Sequence, residues 1–208
     1  MKVLLVNGSP NENGCTYTAL CEVAKALNEN GVETEIFQIG KKPIGGCWGC
    51  GGCAKLRKCV QDDIVNEFAA KAMEADGFIF GSPVYYAAPN GTLLAFMNRL
   101  FYCWGKKAFS FKPAAAIASA RRAGTVTTFD ALNKYFTINN MPIVSSCYWN
   151  GVHGWNNTPS DVVQDEEGMN VMRTLGNNMA WLLKCIELGK ENGVMPERPA
   201  KVRTNFIR

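Results

Sequence analysis

The sequence predicts an α/β protein, a doubly wound three-layer fold around a five-stranded parallel sheet. Three observations predict it. Short apolar runs of strand length alternate with longer segments whose apolar residues recur every three or four positions. The runs at 77–81 and 113–118 are apolar almost throughout, as strands buried on both faces are. Polar turns rich in Gly, Asn, Ser and Pro follow several of these runs, where helices have to start.

The elements follow in order. Val3-Leu4-Leu5-Val6 is the first strand, and residues 7–14 are a polar, glycine-bearing turn. Ala19, Leu20, Val23, Ala24 and Leu27 mark one face of a helix, which Gly31 ends. Residues 32–37 alternate as a half-buried strand, and a cysteine- and glycine-rich loop fills 41–59. Asp62 or Asp63 caps a helix carrying Val65, Phe68, Ala69, Ala72 and Met73. Residues 77–81 form the third strand and 82–88 a loop. Pro89 opens the next helix, whose stripe is Leu93, Leu94, Met97, Leu100, Phe101 and Trp104.

Residues 113–118 are the fourth strand, 119–124 a loop and 125–139 a helix. Residues 142–145 are expected as the fifth strand, with an irregular segment over 147–160 behind it. Met169, Met172, Leu175, Met179, Leu182 and Ile186 set the last helix. Acids lie near its start and lysines near its end, as the helix dipole favours, and Gly176 is a mild liability within it. One domain is expected over 1–208, with the cysteine loop at 41–60 and a basic tail at 194–208 that packs on the surface or on a partner chain. Two strand orders are common in such sheets, and both bind ligands beyond the carboxyl ends of the strands. The loops 9–16, 82–88 and 119–124 converge there.

Composition narrows the partners. Apolar residues make up 47% of the 208 and charged ones 19%, which excludes a disordered chain. The net charge of +4 is spread without long basic blocks, which argues against nucleic acid. No apolar run is long enough to span a bilayer and no signal peptide is apparent, so no membrane partner is expected and a cytoplasmic location is. Nine cysteines there stay reduced, and four of them crowd into 47–59.

The loops carry the chemistry. Gly8 and Gly14 are one residue too far apart for a Walker loop, and no lysine follows. A nominal dinucleotide fingerprint at 49–54 follows no strand and overlaps the cysteines. What remains is a hydroxyl- and amide-rich loop at a helix start, suited to a single phosphate through Ser9, Thr16 and the Asn side chains. Tyr85 and Tyr86 offer faces for a flat amphipathic ring, although packing under a loop explains them equally well. FMN has one phosphate and one such ring.

Cys47, Cys50, Cys53 and Cys59 form a C-x2-C-x2-C-x5-C run. Soft thiolates suit iron–sulfur clusters and zinc, and the compact run suits wrapping a cubane. A zinc knuckle, disulfide-forming thiols and a vestigial motif are the alternatives. His153 is the only histidine, and no nucleophile elbow occurs. Cys15, Cys21, Cys103, Cys147 and Cys185 are expected to be packed or inert.

Gly8-Ser9-Pro10, Gly14-Cys15-Thr16 and Gly81-Ser82-Pro83-Val84-Tyr85-Tyr86 together resemble the NADPH-dependent FMN reductase branch of the flavodoxin-like fold. Within it, the chain is most similar to the iron–sulfur flavoproteins of anaerobes, over essentially its whole length. The resemblance implies FMN at the carboxyl edge of a five-stranded sheet. Ser9, Asn11, Asn13, Gly14, Cys15 and Thr16 would hold the phosphate, and Pro83, Val84, Tyr85 and Tyr86 would border the isoalloxazine. Ser119, Arg121, Arg122 and Gly124 would close the other side. The family often has Arg where this chain has Asn11, and Asn where it has Cys15, so Arg121 or Arg122 is the candidate replacement cation.

The cysteine spacing also resembles the family's cluster motif, implying a [4Fe–4S] cluster on Cys47, Cys50, Cys53 and Cys59. Cluster and flavin would share one side of the molecule, across a subunit boundary of a homodimer or homotetramer. The function so implied is an FMN-dependent oxidoreductase. It would take electrons from NAD(P)H or a ferredoxin-like carrier and pass them to a small-molecule or redox-protein acceptor. A cluster-free NAD(P)H:FMN, quinone or nitro reductase is one alternative. A non-enzymatic electron carrier and a zinc-stabilised binding module are the others.

Overall fold

The structure is a computed structural model. It describes residues 1–208 except Asn156, Asn157, Pro199, Lys201, Arg203, Asn205, Ile207 and Arg208. Part of the packing expected for the tail at 194–208 lies outside the described residues.

The strands are β1 (Lys2–Asn7), β2 (Glu33–Gln38), β3 (Gly77–Tyr85), β4 (Ala88–Pro89), β5 (Ala114–Ala120) and β6 (Gly151–His153). Five of them run parallel in the order β2-β1-β3-β5-β6, and β4 folds back antiparallel on β3. The helices are α1 (Cys15–Glu29), α2 (Cys53–Leu56), α3 (Ile64–Glu74), α4 (Gly91–Trp104), α5 (Thr125–Thr137), α6 (Pro159–Gln164) and α7 (Glu166–Glu191).

Alternate residues of each strand face opposite layers. Leu4, Val6, Phe78, Phe80, Ala114 and Ala116 pack with Phe68 of α3, Phe96 and Leu100 of α4, and Phe136 of α5. Val3, Leu5, Ile79, Ala115 and Ile117 pack with Leu20 and Val23 of α1 and Met172, Leu175 and Met179 of α7. These two cores make the three expected layers. With strand order 2-1-3, the connection from β1 leads to one side and that from β3 to the other, which puts the switch point between their carboxyl ends.

The fifth strand differs from expectation. Residues 142–145 contribute only a bridge from Ile143 to Ala114, held by Ala114 N–H to Pro142 O and Val144 N–H to Ala114 O. The chain then leaves the sheet through a turn in which Ser146 Oγ donates to Tyr148 O, and rejoins it as β6 beside Ala118–Ala120. The edge lane is thus split between two segments.

The loop expected at 82–88 is a hairpin. β3 continues to Tyr85, turns at Tyr86 and Ala87 with φ of 50° and 57°, and pairs Tyr85 with Ala88 and Val84 with Pro89. Beyond Gly81 it has outrun β1, so Pro83 forfeits no ladder bond on that side. Pro89 therefore closes the hairpin instead of opening α4, which Asn90 caps by accepting the Thr92 N–H at 3.0 Å. Asp63, not Asp62, caps α3 through the Val65 N–H at 3.1 Å.

Candidate functional site

The loop after β1 is shaped by the last residue of that strand. Asn7 is buried. Its Oδ1 accepts the Ser9 N–H at 3.1 Å, and its Nδ2 donates to Asn11 O at 3.2 Å and to Gln38 Oε1. Gln38 in turn donates Nε2 to Ser9 O at 2.7 Å. The Asn11 N–H donates to Ser9 Oγ at 3.1 Å. The loop is therefore held from β1 and β2 before any ligand arrives. The sequence offers Asn7 only as one of the turn's amides and Gln38 not at all; an amide at the end of each of the two strands was the available signal.

The three expected loops do meet. Thr16 Oγ1 and Ser119 Oγ, both buried, share a hydrogen bond of 2.7 Å between α1 and β5. Gly8 N–H donates to Gly81 O at 2.8 Å, and Asn90 Nδ2 to Gly8 O at 2.7 Å, which joins the loops after β1 and β3. Gly124 stands at φ 92°, and a Cβ there would lie 2.8 Å from Ala87 Cα and 2.9 Å from Val84 Cγ1. The β5 loop thus packs directly on the hairpin, and Thr127 Oγ1 donates to Ala87 O at 2.6 Å. A fourth loop, after β6, joins them: Gly154 N–H donates to Ala120 O, Cys15 Sγ to Thr158 O at 3.7 Å, and Arg121 stacks over Trp155 at 4.3 Å.

Other members stand apart from this contact set. Asn13 and Arg122 are exposed, and Tyr86 projects fully into solvent. Tyr85 is half-exposed at 46%. Pro83 pairs with Ser119 across the sheet, with Val84 next to it in the hairpin.

The helix starts distinguish this rim. Among the five long helices, α3, α4 and α7 are capped by the side chains of Asp63, Asn90 and Asp165. The other two, α1 and α5, begin at Gly14 and Gly124 with no side-chain cap and no acid in the first turn. Their leading N–H groups are left for another acceptor, and both starts lie on the rim. Residues 8–16 contain no Lys or Arg, so an anion there would be met by N–H groups and hydroxyls.

The second constellation lies against α4. Cys47, Cys50, Cys53 and Cys59 line one cavity with Trp48, Arg99, Tyr102 and Cys103. Gly49 and Gly51 take φ of 64° and 68° to curl the chain around it. Asn66 of α3 fastens the last cysteine of the motif, with Oδ1 accepting the Cys59 N–H and Nδ2 donating to Cys59 O, both at 3.0 Å. Among the described residues no three His, Cys, Asp or Glu side chains are grouped for one metal ion. A zinc ion needs its thiolates about 2.3 Å from one point. Each thiolate of a cubane takes its own iron, and four soft thiolates along one cavity are the donor set such a cluster needs.

Cys103, expected to be packed or inert, belongs to this cavity. Burial first, then Cys53, Cys59 and Cys47, push its thiol up to about 12. The loop leaves the carboxyl end of β2 as expected but lies along α4. Arg99 is nine residues beyond Asn90, a rise of about 14 Å along the axis.

Comparison with known proteins settles the family. Residues 1–156 match the family described as NADPH-dependent FMN reductase. The chain belongs to that family. An iron-sulfur flavoprotein of Methanocaldococcus jannaschii is 32% identical over 195 residues, covering 90% of this chain and 100% of that protein. A second iron-sulfur flavoprotein of the same organism is 29% identical over 198 residues, covering 88% and 98%. Among solved structures, a flavodoxin from the domain Archaea matches with a TM-score of 0.59 at 14% identity, covering 88% of this chain and 99% of that one.

As a member of the NADPH-dependent FMN reductase family, the chain has the expected flavodoxin-like fold, and membership implies FMN and flavin oxidoreductase activity. The rim fits a flavin phosphate in its donors: uncapped N–H groups at Gly14, the hydroxyls of Ser9 and Thr16, and no acid in the first turn of α1. Among the described residues no helix is long and apolar enough to cross a membrane.

Proposed function

We infer that this protein is an FMN-dependent oxidoreductase, linked to NAD(P)H or to a ferredoxin-like donor, with an iron–sulfur centre on Cys47, Cys50, Cys53 and Cys59. The observation that carries the finer reading is the single cavity lined by all four motif cysteines. The names of the two relatives support it.

In this reading the N–H groups at the start of α1 and the hydroxyls of Ser9 and Thr16 bind the flavin phosphate. With the Thr16 hydroxyl donating to the phosphate, Ser119 Oγ donates to Thr16 Oγ1, which fixes that end to β5. The hairpin at Val84–Ala88 and the turn at Gly124 border the ring. Bound there, FMN supplies two-electron chemistry and the cluster single-electron exchange. No proton donor is assigned to Tyr85 or Tyr86. A second copy of the chain is the partner proposed for the exposed aromatics Tyr148, Trp149 and Trp155.

The test is anaerobic purification with iron, sulfide and flavin assays, followed by rapid mixing with NADPH. Cys47→Ala and Cys59→Ala should lose iron and keep FMN. Unchanged iron in both would leave a cluster-free reductase. A flavin that NADPH does not bleach, yet a reduced ferredoxin does, fits the ferredoxin-linked form; bleaching by neither leaves no donor and removes the enzyme assignment.

A further inference from the structure

Arg99 is the one charged residue of α4, and its side chain is fully buried. All five N–H groups of its guanidinium find acceptors. Nη1 donates to Asp63 Oδ2 at 2.7 Å and Gly45 O at 3.3 Å, and Nη2 to Gln61 O at 2.7 Å and Asp63 Oδ1 at 2.9 Å. Nε donates to Cys59 Sγ at 3.4 Å. The carbonyl acceptors lie on both stems of the cysteine loop, one before Cys47 and one after Cys59. A guanidinium keeps its proton even when buried, and the Asp63 carboxylate stands against it, so the group is a permanent cation.

The four Nη bonds suffice to close the loop. The Nε bond does something else, because it aims a charged donor at a sulfur that the cluster reading assigns to iron. We propose that Arg99 sets the reduction potential of the iron–sulfur centre through its Nε–H bond to Cys59 Sγ. This is a positioning and tuning role, and it rests on the cluster reading above. A donor on a thiolate sulfur draws off electron density and favours the reduced, more negative centre. Asp63 opposes it, because its carboxylate pairs with the same guanidinium at 2.7 Å and cancels much of the charge. The two residues therefore pull the potential in opposite directions.

The test is a redox titration of the anaerobically purified protein, following the cluster by absorbance and electron paramagnetic resonance. Arg99→Lys keeps the charge but loses the planar Nε donor. At the wild-type midpoint its reduced-to-oxidised ratio should fall about tenfold, which is about 59 mV for one electron. Asp63→Asn removes the anion yet still caps α3, since Asn caps as well as Asp. Its ratio should rise. A residue that only clamps the loop predicts unmoved ratios, or shifts of one sign in both variants, and either result overturns the proposal. If Arg99→Lys does not retain iron, Asp63→Asn decides alone: a rise supports the proposal, and an unmoved or lower ratio overturns it. Wild-type protein without iron and sulfide overturns the cluster reading and this one with it. Loaded protein with unmoved variants overturns only the role of Arg99.

Discussion

Asn7 shows how one side chain prepares a site it need not touch. Asn7→Ala strips the buried Ser9 N–H and the Asn11 carbonyl of their partners, at a cost of about 1–3 kcal/mol. If that cost falls on the loop, FMN affinity drops about tenfold for each 1.4 kcal/mol. Calorimetric titration of apoprotein with FMN reads it, and unchanged affinity would mean that something else orders the loop. Gly124→Ala acts from the other side, because its Cβ would collide with Ala87 and Val84 at a φ that side chains rarely adopt. We expect weaker FMN binding and a lower melting temperature, and wild-type values for both would separate the β5 turn from the ring site. Glu35 gives a pH signature away from the site. Hydrogen bonds from Lys71 and then Lys2 hold its carboxyl below the ordinary glutamate value. The unfolded chain therefore binds the proton more tightly, so this stabilisation is full above the ordinary value and is lost as pH falls through the lowered one. Melts of Glu35→Gln across the acid range should show a shallower loss than wild type; parallel curves would contradict the pairing.

Helices and strands were legible where burial imposes a period. The stripes of α1, α3, α4 and α7 and the runs of β1, β3 and β5 follow from core-facing positions alone. The edge lane did not follow. Pro142, Ile143 and Val144 look like a strand, whereas Gly151–His153 has no apolar run and is held by backbone bonds from β5 that no composition records. The hairpin was hidden because Tyr86 and Ala87 lack the Gly or Asn that marks a left-handed turn. Arg99 and Cys103 were hidden by sequence distance from the cysteine motif; a lone charge in an apolar helix was the one signal. Gly176 was underread. It is the point where α7 meets α1, and a Cβ there would lie 2.7 Å from Ala26 Cβ and 2.8 Å from Val23 O. Helix propensity favours Ala by about 1 kcal/mol, but a backbone carbonyl cannot move aside cheaply. Gly176→Ala should lower the melting temperature by several degrees in calorimetry, and a rise would show that the helices separate freely.

At the scale of the whole molecule, the sheet edge gathers four loops into one rim, and α4 ties that rim to the cysteine cavity. Asn90 at its start bonds to Gly8, and Arg99 further along bonds to Cys59. The rim was readable from the sequence because turn residues sit at fixed places after apolar strands. The cavity was readable only in its cysteines, because its wall comes from a distant helix. The most direct measurement is cofactor content after strictly anaerobic purification. The account predicts about one FMN per chain, with iron and sulfide each near the four that a cubane requires. Colourless protein that gives no heat when titrated with FMN would contradict it.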